Sequence, residues 1–176
     1  MRRTYLYPSP LGGILLSSEG DALTGLWFEG QKNAPNASGA QRGTGAEPVL
    51  KQTARWLDIY FAGREPEFTP NIRLCGTLFQ NEVWRLLLAV PYGSVTTYAD
   101  IARKIARLRG IARMSAQAVG GAVGRNPISL IVPCHRVTGA HGSLGGYAGG
   151  LDRKEKLLRL EGAWKDSFST GLLDLD

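Results

Sequence analysis

The chain of 176 residues is poor in the side chains that build covalent or metal scaffolds: it holds two cysteines, two histidines and two methionines. Cys75 and Cys134 stand far apart, and neither belongs to a CxxC or CxxxH set. That pattern excludes a disulfide framework and leaves no zinc-ligand spacing, so no metal is expected. No stretch approaches the ~20 apolar residues that span a bilayer. Met1-Arg2-Arg3-Thr4-Tyr5 does not open a signal peptide. A reducing, cytoplasmic setting is expected, with no membrane partner. One further scarcity is local: from Ile101 to Leu151 there is no Asp or Glu.

That acid-free window holds Arg103, Lys104, Arg107, Arg109, Arg113, Arg125 and Arg136, whereas the rest of the chain is nearly balanced. The net charge of +6 therefore lies in one segment. A concentrated positive field suggests a polyanionic partner, most simply DNA or RNA. With 43% hydrophobic and 20% charged residues, the chain has the composition of a globular protein, long enough for one large or two small domains.

The first third reads as β. Gly13–Ser17 and Leu23–Phe28 are short apolar runs separated by the turn signal Ser18-Glu19-Gly20-Asp21. Residues 31–48 carry no large apolar side chain and read as a flexible loop. Leu50, Ala54, Leu57 and Phe61 repeat at helical spacing, which predicts a helix over 48–62. Glu65 to Cys75 reads as an extended crossing. Thr77-Leu78-Phe79-Gln80 has the form of a capping box, opening a helix that Pro91-Tyr92-Gly93 ends. Two short helices follow, from Thr97 to about Arg107 and from about Ser115 to Gly124, joined by a turn with Gly110. Such a pair in a basic segment reads as a helix-turn-helix. Its second helix is almost wholly Ala and Gly, poor in helix propensity but able to approach another surface closely. A glycine-rich loop spans 142–150, where the backbone can lie against a flat ligand. A last helix covers 152–160, and the tail beyond Trp164 is acidic.

Pro133-Cys134-His135-Arg136 carries the chemistry. A thiol followed by an imidazole is the smallest set that can make a thiolate nucleophile, since a free thiol is only a few per cent ionised at neutral pH. If Cys134 lies on a strand after the apolar run 128–132, consecutive side chains point to opposite faces. His135 then reaches the thiol only through irregular backbone or a water. Glu161, at the end of the last helix, is a candidate to orient the imidazole. An inert buried thiol and a structural ion pair for Arg136 stand as the plainer alternatives. Cys75 has no neighbouring base and reads as structural.

Together these motifs resemble the O6-alkylguanine-DNA alkyltransferases, also called methylated-DNA–protein-cysteine methyltransferases. The likeness runs through Gly76–Gln80, Val90–Gly93, Thr97–Ala102, Ala118-Val119-Gly120, Asn126-Pro127, Pro133–Val137, Gly146–Gly150 and Leu160-Glu161-Gly162. Ser9–Gly12 and the strands after it match more loosely. The resemblance implies an α+β or α/β chain: a ribonuclease-H-like N-terminal domain over 1–70, a winged-helix-like C-terminal domain with a helix-turn-helix over 71–165, and an acidic tail over 166–176. It implies a monomer without cofactor that acts on double-stranded DNA containing O6-alkylguanine, and also on O4-alkylthymine. Cys134 would accept the alkyl group, once per molecule, from a base flipped out of the stack. His135, through a water and oriented by Glu161, would take the thiol proton. Tyr98 would assist the flipped nucleotide, and Asn126 would brace the turn between recognition helix and cysteine strand. Ser129, Val137, Tyr147, Ala148 and Gly149 would line the base pocket. Ser115, Gln117, Ala118, Arg125 and Arg136 would face DNA.

Two positions depart from the family pattern. Gln117 stands where an intercalating arginine is common, and Ala148 where a serine is common. Two rival functions remain at this stage. A non-catalytic binder of alkylated DNA would need no acceptor thiol. A cysteine hydrolase would need a second base–orienter set or a nucleophile elbow, and neither pattern is present.

Overall fold

In the computed structural model, residues 2–36 and 47–168 are described. Much of the expected loop over 31–48 and most of the expected acidic tail lie outside the described residues. The chain forms two compact units. One comprises Met1–Cys75 with Pro127–Ile131, the other Gly76–Asn126 with Val132–Asp176. The architecture is mixed α and β: a small sheet in the first unit, helices dominating the second. Among the described residues no helix is long and apolar enough to cross a membrane.

The first unit is built on an antiparallel sheet in the order β1 (Arg2–Ser9), β2 (Gly12–Glu19), β3 (Ala22–Phe28). The central strand β2 buries five successive residues, Ile14 to Ser18, so both of its faces are covered. β1 was not anticipated as a strand. It carries Pro8, which lacks an amide hydrogen but is tolerated because β1 is an edge. Helix α1 (Pro48–Phe61) starts with proline in its first turn and buries Val49, Leu50, Thr53, Trp56, Leu57 and Tyr60 at helical spacing. The same unit recruits a distant segment: Ile128 bridges Leu26, and Ser129 N–H donates to the Leu26 carbonyl at 3.0 Å.

The second unit holds α2 (Leu78–Leu88), α3 (Tyr98–Arg109), α4 (Ala116–Gly124) and α5 (Leu151–Leu160). Strands β4 (Thr96–Thr97) and β5 (Val137–Thr138) pair in parallel. The capping box of α2 is present in full: Gln80 N–H donates to Thr77 Oγ1 at 3.1 Å, and Thr77 N–H to Gln80 Oε1 at 3.0 Å. Thr97 caps α3 through Asp100 N–H, and Ser115 caps α4 through Ala118 N–H, each at 3.1 Å. The small residues of α4 expose its carbonyls to neighbours, and the buried Trp84 indole donates to the Ala122 carbonyl at 2.8 Å.

Candidate active site

The apolar run before Cys134 does not end in a strand. Leu130 takes φ 70°, a left-handed conformation rare outside glycine, and Cys134–Arg136 forms a 3-10 turn. Cys134 N–H donates to the Val132 carbonyl at 2.8 Å, and Arg136 N–H to that of Pro133 at 3.0 Å. The expected cysteine strand is thereby replaced by a turn. Side chains in such a turn fan out by about 120° instead of alternating between opposite faces. Asn126 closes the neck of the excursion over 127–131: its Nδ2 donates to the Val132 carbonyl at 2.8 Å.

Cys134 and His135 are both buried. Glu161 sits at the C-cap of α5, where Gly162 at φ 73° makes the left-handed turn that ends the helix. Its Oε1 lies 2.7 Å from His135 Nε2 and accepts from Arg136 Nη2 at 2.9 Å. Oε2 accepts from Arg136 Nε at 2.8 Å. Burial works against ionisation of Glu161, but the hydrogen bonds from His135 and Arg136, with the charge of Arg136, outweigh it and hold the carboxyl at about 2. Burial lowers the His135 pKa, against the pull of Glu161, so the ring is neutral at neutral pH. An ionised carboxylate has no proton to give. Nε2–H is therefore the donor, and Nδ1 is the basic nitrogen of the neutral ring.

Arg136, expected on the DNA face, is buried. Its Nε and Nη2 bind Glu161, Nη1 donates to the Val90 carbonyl at 2.8 Å, and the Tyr92 ring lies 5.6 Å away. Ser129, expected in the base pocket, belongs to the first unit, with its hydroxyl 3.3 Å from Gln31 Oε1. The strand-like pairing to Leu26 draws it there.

Tyr98, the first residue of α3, lies against the glycine-rich loop. A side chain at Gly145 would bring a Cβ within 2.9 Å of the Tyr98 hydroxyl, and the φ of 74° there already favours glycine. Burial raises the Tyr98 pKa, with Cys134 adding to the rise and a backbone hydrogen bond of Gly146 opposing it. The hydroxyl thus stays protonated and can donate. Burial, reinforced by Cys134, likewise raises Tyr147 well above its ordinary value. The Tyr147 hydroxyl is buried without a hydrogen-bond partner among the described residues. Of the remaining pocket-loop residues, Ala148 is half-buried and Gly149 is buried, its carbonyl accepting from Arg153 at 3.1 Å.

Lys154 is the group that sequence reading missed. It is fully buried, and its Nζ donates to the carbonyls of Val137 at 2.6 Å and Gly146 at 2.9 Å. Burial lowers it to about 8, with Cys134 pulling the other way. The signal was present in the sequence: Lys154 shares the buried face of α5 with Leu157 and Leu158.

On α4, Val119, Ala122 and Val123 are buried, while Gln117, Ala118 and Gly121 are exposed, as is the C-cap Arg125. Ser115 is exposed, with its hydroxyl engaged in the cap. The charge of the acid-free window is partly cancelled from outside it. Arg109 pairs with Glu82 at 2.6 Å, Arg103 with Asp100, and Arg136 with Glu161. Lys104, Arg107, Arg113 and Arg125 are exposed and form no ion pair among the described residues.

Two family sequence profiles match. Residues 2–74 match the ribonuclease-like domain of 6-O-methylguanine DNA methyltransferase, and residues 78–163 match its DNA-binding domain. A methylated-DNA–protein-cysteine methyltransferase of Mycobacterium leprae is 46% identical over 155 residues, covering 87% of this chain and 88% of its own. That of Methanosarcina acetivorans is 40% identical over 158 residues, covering 90% and 97%. Among solved structures, the Mycobacterium tuberculosis OGT in complex with DNA superposes with a TM-score of 0.78 at 42% identity, covering 91% of this chain and 92% of that one.

Proposed function

The chain belongs to the methylated-DNA–protein-cysteine methyltransferase family, and from that premise we propose that Cys134 is the residue onto which it moves alkyl groups from DNA. The activity is direct reversal of base damage: an alkyl group leaves DNA and remains on the protein. The observation that carries the residue assignment is the buried cluster around Glu161. It places an ionised carboxylate 2.7 Å from the imidazole that follows the cysteine in the chain.

In this reading His135 Nδ1 takes the Cys134 proton through a water. The thiolate attacks the alkyl carbon on O6 of a flipped guanine, the S–C bond forms and the C–O bond breaks. The departing guanine is left anionic, and the protonated Tyr98 hydroxyl supplies the donor that stabilises it. Val137, Tyr147, Ala148 and Gly149 line the base pocket. The exposed Ala and Gly face of α4 rests on the duplex, with Gln117 filling the gap in the stack. O4-alkylthymine presents the same soft electrophile and is a second substrate. A thioether is not reversed by any group at the site, so each molecule acts once. The acceptor thiol counts against a role as a mere binder of alkylated DNA. A cytoplasmic setting suits a thiol that must remain reduced.

The test is transfer from DNA carrying isotopically labelled O6-methylguanine, followed by peptide mass spectrometry. One label per molecule, on the peptide containing Cys134, is expected. Label on Cys75, or binding with no label, would defeat the assignment.

A further inference from the structure

A carboxylate whose task is only to orient an imidazole needs one acceptor contact. Glu161 gives that contact to His135 and gives its second oxygen, with a share of the first, to a buried guanidinium. The consequence is electrostatic. With Arg136 in place, the resting cluster holds one anion and one cation, while the imidazole and thiol are neutral. Without it, among the described residues, the imidazole is left as the ionisable group hydrogen-bonded to the buried carboxylate, beside the Gly93 N–H at 3.4 Å from Oε2. The ring would then hold a proton at rest and have no capacity to accept one from the thiol.

We propose that Arg136 is a positioning residue for alkyl transfer: by gripping both Glu161 oxygens it fixes the plane of the carboxylate against His135 and cancels its charge, so that His135 rests as a neutral base. The proposal rests on the reading above in which His135 receives the thiol proton. The bond from Nη1 to the Val90 carbonyl holds the fork from its far side. Arginine suits the task because its planar donors match a carboxylate in two places, which an ammonium cannot do. The other titratable groups around the cluster are Cys134, Tyr147 in the glycine-rich loop, Tyr92 against the guanidinium and Lys154 from α5. Lys154 is the other cation among them, and its Nζ is bound to the Val137 and Gly146 carbonyls and not to Glu161. Lys154 and Arg136 both act to keep His135 neutral, but only Arg136 touches the carboxylate.

The presence of only two histidines makes a direct test practical. In an imidazole NMR titration, the His135 signal is identified by its loss in His135→Ala. Arg136→Met is expected to raise the His135 titration by about one pH unit or more, and to move the acid limb of methyl transfer upward with it. Arg136→Lys keeps the charge and loses the fork. Its titration should stay near that of the unsubstituted protein, while its plateau transfer rate falls roughly 10- to 100-fold from misorientation. A merely structural arginine would move neither the titration nor the acid limb. An Arg136→Met protein that folds and titrates like the unsubstituted chain overturns the proposal, as does an Arg136→Lys plateau that is unchanged. If Arg136→Met does not fold, Arg136→Lys decides alone: a lowered plateau with an unmoved titration sustains the proposal, and any other outcome overturns it. The underlying reading fails separately, if His135→Ala leaves the pH profile of transfer unaltered.

Discussion

Two groups of positive charge lie in the same acid-free stretch or just beyond it, and they have opposite fates. Arg136 and Lys154 are buried, and the structure accounts for their donors: a carboxylate and a carbonyl for one, two carbonyls for the other. Lys104, Arg107, Arg113 and Arg125 are exposed and form no ion pair among the described residues. The first group sets protonation states around a thiol. The second supplies a field to an approaching polyanion. Charge counted along the sequence merges the two, and burial separates chemistry from attraction. Substitutions in one group should therefore leave the signature of the other untouched.

The largest effect is expected inside the buried group. Cys134→Ala should abolish alkyl transfer while duplex binding, followed by fluorescence anisotropy, stays within about twofold, because surface residues move little in free energy when distant sites change. Loss of both would show that the two functions share determinants and that the division is false.

Glu161→Gln should follow. It removes the charge that Arg136 and His135 face, and breaking a buried pair costs about 3 kcal/mol or more. The carboxyl is depressed in the folded protein to about 2. Its stabilisation is complete above pH ~4.5 and is lost as the pH falls from there toward about 2. Urea unfolding followed across that range should show a steep loss in the unsubstituted chain and a shallower one in Glu161→Gln. Parallel curves would mean that the carboxylate does not carry the acid dependence.

Asn126→Ala should cost about 1 kcal/mol by removing one of two donors to the buried Val132 carbonyl, the other being the Cys134 N–H, and should leave the salt dependence of DNA binding alone. Thermal or urea unfolding measures the first effect, binding isotherms the second.

The exposed group is probed by salt. Each of Lys104→Ala, Arg107→Ala, Arg113→Ala and Arg125→Ala that removes a phosphate contact should reduce the slope of log affinity against log salt by about 0.9. Arg109→Ala and Arg103→Ala should reduce it less, since their charge is already shared with Glu82 and Asp100. Equal slopes in all six would show that ion pairing within the protein does not decide which cations DNA meets.

The smallest effect is expected at Gln117, which is neutral and exposed. Gln117→Ala should slow repair of duplex substrate severalfold, since unstacking costs a few kcal/mol and only part is offset by the inserted side chain. Reaction with free O6-alkylguanine base should be unchanged. Equal slowing of both substrates would move Gln117 from the DNA face into the scaffold of the site.

What could be read in advance follows from the range of the interactions. Thr77 and Gln80 are separated by three residues, so spacing alone exposes their capping box. Cys134 and His135 stood out because those residue types are scarce. Other features had no local signature. Leu130 adopts a glycine-like φ that a leucine does not advertise, so the turn carrying Cys134 passed for the end of a strand. Ser129 is held by Leu26 and Gln31, about a hundred positions away. Arg136 passes for a DNA-facing cation because long charged side chains are rarely buried unless their partners come from elsewhere in the chain. β1 lacked clean alternation, since Tyr5 and Leu6 are both half-buried.

The excursion over 127–131 also orders events in time. A ribosome makes residue 26 long before residue 128, and the bridge between Leu26 and Ile128 closes a loop of about a hundred residues. Closing a loop of that length costs roughly 4 kcal/mol in chain entropy. The N-terminal unit therefore cannot be completed until the helix-turn-helix has been synthesised and the chain has passed the segment just before Cys134. The closing contact of the N-terminal unit and the arrival of Cys134 are thus nearly one event during synthesis, and a nascent chain stalled before residue 128 would carry neither a closed N-terminal unit nor Cys134, leaving Cys75 as its one thiol.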